Sequence, residues 1–171
     1  MTKIFIVFIA LFIFTAILHA DEKNTNTQAK ILEKSLDSLL PYTVEQTESS
    51  FTKTRHGGVQ HVVAKSATDS MLIASIQTHL RKMIGQFRKG DFSTTERMHG
   101  ANMPGLMQLK TAKSADIRFA YRDLENGGQI RYYSEYPQFV SALHEWFDAQ
   151  ARAHGNVDLP SDIQHHLAKS E

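Results

Sequence analysis

Histidine and methionine are the residues on which metal chemistry could rest here, because the chain contains no cysteine. Met98, His99, Met103 and Met107 fall close together in one uncharged stretch. Thioether and imidazole donors together suit Cu(I). Pro104 interrupts the stretch, so Met103 and Met107 are not expected on one continuous helical face. A second pair, His56 and His61, flanks Gly57-Gly58. On a tight hairpin two imidazoles so placed would approach each other and could take copper or zinc. Both sets have a plainer reading. The methionines could fill gaps over a sheet, and the hairpin histidines could simply be solvated.

The remaining histidines give weaker signals. His79 falls beside the apolar positions of a helix and reads as a packing residue. His144 adjoins Glu145, but helix neighbours point to different faces and do not make a dyad. His144 and His154 share a helix side nearly three turns apart, too far for one ion. His165-His166 is a tail pair. No His-Glu-x-x-His, phosphate-cradling loop or nucleophile elbow occurs. General acid–base chemistry would need a cleft that sets His144 or His79 beside an acid.

These residues must be positioned by the elements around them. Lys3 precedes an apolar run over residues 4–18, which ends in His19-Ala20 before a polar stretch. That is the pattern of a secretory signal peptide. Cleavage after Ala20 would leave 151 residues with 18 basic and 18 acidic side chains, since Lys3 departs with the leader. A near-neutral chain lacks the basic excess of a nucleic-acid binder. Export without cysteine excludes disulfides, so one hydrophobic core must supply stability. The expected location is periplasmic or secreted, with no stable membrane span once the leader is removed.

Along the remainder, Ile31, Leu32, Leu36, Leu39 and Leu40 have helical spacing and stop before Pro41. Residues 42–55, the Gly57-Gly58 turn and His61 to Ala64 read as a hairpin. Asp69 can cap a helix reaching about Lys89, with Leu72, Ile73, Ile76, Leu80, Met83, Ile84 and Phe87 on its apolar face. Residues 91–113 read as a loop or lid. Ile117, Phe119 and Tyr121 alternate with polar positions, Asn126-Gly127-Gly128 turns the chain, and residues 130–133 return. Pro137 opens a last helix that Gly155 stops.

The two halves correspond. Leu72-Ile73-Ala74-Ser75-Ile76 matches Phe139-Val140-Ser141-Ala142-Leu143 at a spacing of 67 residues, and the glycine pairs are 70 apart. The expected fold is α+β, with duplicated ββα units forming a four-stranded antiparallel sheet and helices on one face. Residues 1–20 are then a signal peptide and 21–42 a linker with a short helix. One domain spans 43–155, its halves 43–90 and 114–155 joined by the Met/His loop. Residues 156–171 form a polar tail. The second sheet face is expected to be open, available to a ligand, a partner protein or a homodimer.

The stretches 115–121, 126–132 and 142–150, with His154-Gly155, resemble a group of small exported bacterial proteins of unestablished function. Its members are similar in pairing two strand-strand-helix units around a Met/His-containing loop. The resemblance covers residues 43–155. It implies an association with metal or copper handling and supplies no catalytic residue. The tail here lacks the Met/His cluster that some members carry.

The sequence therefore points to a non-catalytic exported metal-binding protein, with copper the expected metal and zinc or haem as alternatives. The competing expectations are a partner-binding or dimerising periplasmic domain without metal, and a small hydrolase-like enzyme.

Overall fold

Gly57-Gly58 and Gly127-Gly128 open strands; they do not form the turns themselves. The computed structural model describes residues 40–157. The expected signal peptide, the helix before Pro41 apart from Leu40, and the tail histidines lie outside these residues. Strand β1 (Thr47–Thr54) turns at Arg55-His56 into β2 (Gly57–Ala64). Strand β3 (Arg118–Leu124) turns at Glu125-Asn126 into β4 (Gly127–Tyr133). The four strands form one antiparallel sheet in the order β1-β2-β4-β3. Thr54 pairs with Gly57 and Leu124 with Gly127, while the central strands set Gly57 against Tyr133 and Val63 against Gly127.

The glycines are seats for helix side chains. A Cβ at Gly58 would collide with the edge of the Phe147 ring, and one at Gly128 would lie 2.8 Å from a methyl of Leu80. Phe147 belongs to α4 (Pro137–His154) and Leu80 to α1 (Ser70–Phe87). Each long helix thus crosses to the hairpin it does not follow. Helix α1 leaves β2 yet packs mainly on β4 and β3, and α4 leaves β4 yet packs on β1 and β2. Exposed ion pairs repeat the crossing, with Arg81 on Asp123 of β3 and Lys53 of β1 on Asp148. The two halves interlock, so neither could bury its apolar surface alone.

Helix α1 begins where expected, its Leu72 N–H donating to the Asp69 carboxylate at 3.0 Å. It buries Leu72, Ile76, Leu80, Ile84 and Phe87. Helix α4 starts at Pro137 and buries Phe139, Ala142, Leu143, Trp146 and Phe147. Both helices lie on the sheet face carrying Phe51, Val62, Ile130 and Tyr132. Tyr132 meets Trp146 and Phe147 edge-on at 5.4 and 5.2 Å, and its hydroxyl donates to Gln60 at 2.6 Å. That placement makes Tyr132 and Trp146 core residues.

The expected loop over 91–113 contains two short helices, α2 (Ser93–His99) and α3 (Leu106–Leu109). Segments this short are marginal alone. Buried Met98, Met103, Leu106 and Leu109 hold them to the rest.

The other sheet face is not open at its centre. Val59, His61 and Val63 of β2 are at most 3% exposed, and Ser50 and Gln129 are buried beside them. A central-strand side chain has cross-strand neighbours on both flanks, here Ser50 and Gln129 around His61. Beyond α4 the chain reaches the outer edge of β1. The Phe51 N–H donates to the Asn156 side chain at 2.7 Å, and the Val157 N–H donates to the Ser49 carbonyl at 3.0 Å.

Candidate metal site

Helix α2 ends at His99, α4 ends at His154, and the two ends meet. Between them in sequence, Gly105 rests on the first half of α4. It adopts φ 75°, and a Cβ there would collide with the Ala142 carbonyl oxygen of α4. Only glycine accepts both the left-handed backbone and the close approach. The segment from Met98 to Leu109 therefore lies directly against α4, with Leu106 and Leu109 fully buried.

The result is a pair of facing imidazoles. His99 Nε2 lies 3.2 Å from His154 Nε2, with the ring planes 85° apart. One ring can donate an N–H to the other only if the two hold complementary tautomers. Burial lowers the pKa of each to about 4, and for His154 the nearby His99 and His79 add to the effect. Charging either ring would require placing a cation in a poorly solvated site. Both are therefore neutral at pH 7, the form in which imidazole ligates metals.

A cavity of about 40 Å³ adjoins His154, lined among others by His79, Met83, Thr95, Met98 and Trp146. It exceeds the roughly 10–15 Å³ needed to admit one water. The Trp146 Nε1–H, buried at this wall, has no hydrogen-bond partner among the described residues. His79 also has a pKa lowered by burial and by the charge of Lys82. His99 faces a more open recess on the other side, with Met103, Ala149 and Arg152.

The residues singled out from the sequence are dispersed. Met98 is buried in the cavity wall, and Met103 is buried in the core. Met107 is 70% exposed on α3, so the thioethers diverge. His56 occupies the β1–β2 turn, its ring 5.2 Å from that of Tyr133. His61 lies five residues further along β2, about 16 Å at the usual strand rise. The expected approach of His56 to His61 does not occur, because the turn falls before the glycines and His61 is carried up the strand. His61 is only 2% exposed and has no hydrogen-bond partner among the described residues. Burial lowers its pKa to about 4; neighbouring Gln129 opposes the shift and Arg122 adds to it. His144 is structural, its Nε2 lying 2.9 Å from the Thr54 carbonyl where β1 ends.

His154 is the ligand candidate that sequence spacing missed. Its nearest sequence partner, His144, was too distant, and its real partner is 55 residues away. The available signal was positional: His154 and His99 each stand immediately before a glycine, at a helix end. Among the described residues no group of three or more His, Cys, Asp or Glu side chains converges on one point. Also among them, no helix is long and apolar enough to cross a membrane. In comparisons with known proteins, no family model, curated protein or solved structure matches this chain.

Proposed function

We propose that this is an exported, non-catalytic metal-binding protein that holds copper as Cu(I) between His99 and His154. The observation supporting this reading is their 3.2 Å nitrogen separation. Two imidazole nitrogens at ordinary bond length to one ion stand about 3.3 Å apart when a further donor bends their angle at the ion toward tetrahedral, and about 4 Å apart in a linear two-coordinate ion, so the reading requires a third donor. Two nitrogens are few for zinc, which takes four ligands in structural sites. Cu(I) accepts fewer and softer donors, and the Met98 thioether in the adjoining cavity wall is the soft donor at hand. Haem would need the rings on opposite sides of a macrocycle, which this separation does not admit.

The setting of the reading is the N-terminal leader and the absence of cysteine, which together describe a periplasmic or secreted buffer or carrier. Kinship with small exported bacterial proteins of similar layout belongs to the same proposal, and so does an internal ββα duplication. The duplication is supported by equivalent turn pairs, Thr54 with Gly57 and Leu124 with Gly127, and by the reciprocal seating of Phe147 and Leu80.

The test is titration of the untagged protein with Cu(I) against a competing chelator, with Zn(II) and haem in parallel. One Cu(I) per chain, lost on replacing His99 or His154 by Gln, is the expected result. Failure to compete with a weak chelator, or undiminished uptake in the double variant, would overturn the reading.

A further inference from the structure

A second cavity, of about 300 Å³, lies where α1 ends, and it shares no lining residue with the cavity beside His154. Its floor is aromatic. Phe87 and Phe92 stack at 4.8 Å, and Phe119 lies 5.9 Å from Phe87. Its rim is basic, formed by Arg88, Lys89 and Lys113, and no acidic residue lines it. The Arg88 guanidinium is held in place by donating to the Phe119 carbonyl at 2.8 Å. Lys89 and Lys113 form no ion pair among the described residues. The nearby acids are engaged, Asp116 by the Lys113 N–H at 2.8 Å and Asp91 by the Ser93 N–H at 2.9 Å.

The backbone of this rim is strained. Ala115 has φ 79°, and no other non-glycine among the described residues has a positive φ. Such a conformation costs on the order of 1 kcal/mol or more, and strain of this kind clusters at ligand sites. Ligand pockets of this volume are at the small end of their range, and they combine apolar walls with a few oriented polar groups.

We propose that this cavity binds a small organic monocarboxylate with an apolar, ring-sized body. The ring lies against Phe87, Phe92 and Phe119, and the carboxylate faces Lys89 and Lys113. The volume excludes long acyl chains, and the aromatic floor gives a small inorganic anion nothing to pack against. The inference stands independently of the metal reading.

The chain's single tryptophan, Trp146, reports on the floor, because its ring meets that of Phe87 edge-on at 5.9 Å. Phenylacetate would be titrated into the full chain, read by Trp146 fluorescence and by amide chemical shifts of residues 112–119. Its neutral counterpart 2-phenylethanol and inorganic phosphate would run in parallel. The expected result is saturable binding of phenylacetate on the order of 10⁻⁴ M. Binding should weaken at least tenfold for 2-phenylethanol, for phosphate and for the exposed double replacement Lys89→Glu, Lys113→Glu. It should be unchanged by His99→Gln. Equal binding of the alcohol or of phosphate would overturn the proposal. So would indifference to charge reversal, or no saturation in either readout.

Discussion

His99 and His154 bring their Nε2 atoms to 3.2 Å across 55 residues of intervening chain. No strand register sets this contact. It depends on the short segment between α1 and β3 folding back on α4, where Gly105 lets the backbones touch at Ala142, about three turns before His154. The site is thus built by helix-end packing, while the sheet supplies the platform on which α4 rests.

Replacing either member of the pair should remove the metal and leave the fold. His154→Gln or His99→Gln is expected to weaken Cu(I) binding about 100-fold, equivalent to about 2.7 kcal/mol. His144→Gln is the control. It disturbs the contact with Thr54 and lowers stability, but leaves Cu(I) affinity unchanged. Competition titration and urea unfolding on the same three variants separate the two effects. Equal losses of affinity in all three would remove His99 and His154 from their special role.

Gly105→Ala should cost more than a backbone penalty. Gly90 and Gly105 have similar positive φ, but a Cβ at Gly90 meets nothing within 4 Å. Gly90→Ala is therefore expected to cost about 1 kcal/mol, the left-handed penalty alone. Gly105→Ala adds a collision with α4 and should cost roughly 2–4 kcal/mol. Denaturant midpoints compare them. A smaller loss at Gly105 would show that α3 can move off α4 cheaply.

Acid should destabilise the protein partly through His61. Its folded-state pKa is held near 4 against an ordinary 6.5. Between those values the unfolded chain takes up a proton that the native state refuses. This group's contribution is therefore complete above pH 6.5 and lost as pH falls toward 4, at up to about 1.4 kcal/mol per pH unit. His61→Leu removes the effect together with a buried imidazole that has no hydrogen-bond partner among the described residues. The variant's advantage over the parent should widen as pH falls from 6.5 to 4. A constant difference across that range would show that His61 is not a source of acid sensitivity.

Asn156→Ala should loosen the exit of α4 from the sheet. The substitution leaves the Phe51 N–H of β1 without its acceptor at 2.7 Å. The expected loss is about 1 kcal/mol, with faster amide exchange at Phe51 and little change elsewhere. Unchanged exchange at Phe51 would show that water replaces the side chain without cost.

Much of the architecture was legible because it rests on local periodicity. The apolar faces of α1 and α4, the Asp69 cap and Pro137 at the start of α4 each follow from neighbours within a turn or two. The Gly-Gly pairs identified both hairpins but misplaced both turns. Their purpose is non-local: they make room for Phe147 and Leu80, and no pattern near residue 58 or 128 announces a ring or a methyl arriving from a helix. The crossing of each helix to the opposite hairpin was hidden for the same reason. So was the pairing of His99 with His154. Met98, Met103 and Met107 looked alike in sequence. Only the packing of α2 and α3 separates the two buried thioethers from the exposed one.

The hydrogen bonds from Asn156 and Val157 have a consequence for self-association. A sheet with two unsatisfied margins can recruit copies at both and extend without limit, which is how fibrils grow. Here the chain occupies the middle of the β1 margin with its own backbone and an amide side chain. Strand addition at β1 would have to displace both contacts, and on the opposite margin the Phe119 carbonyl of β3 already accepts from Arg88.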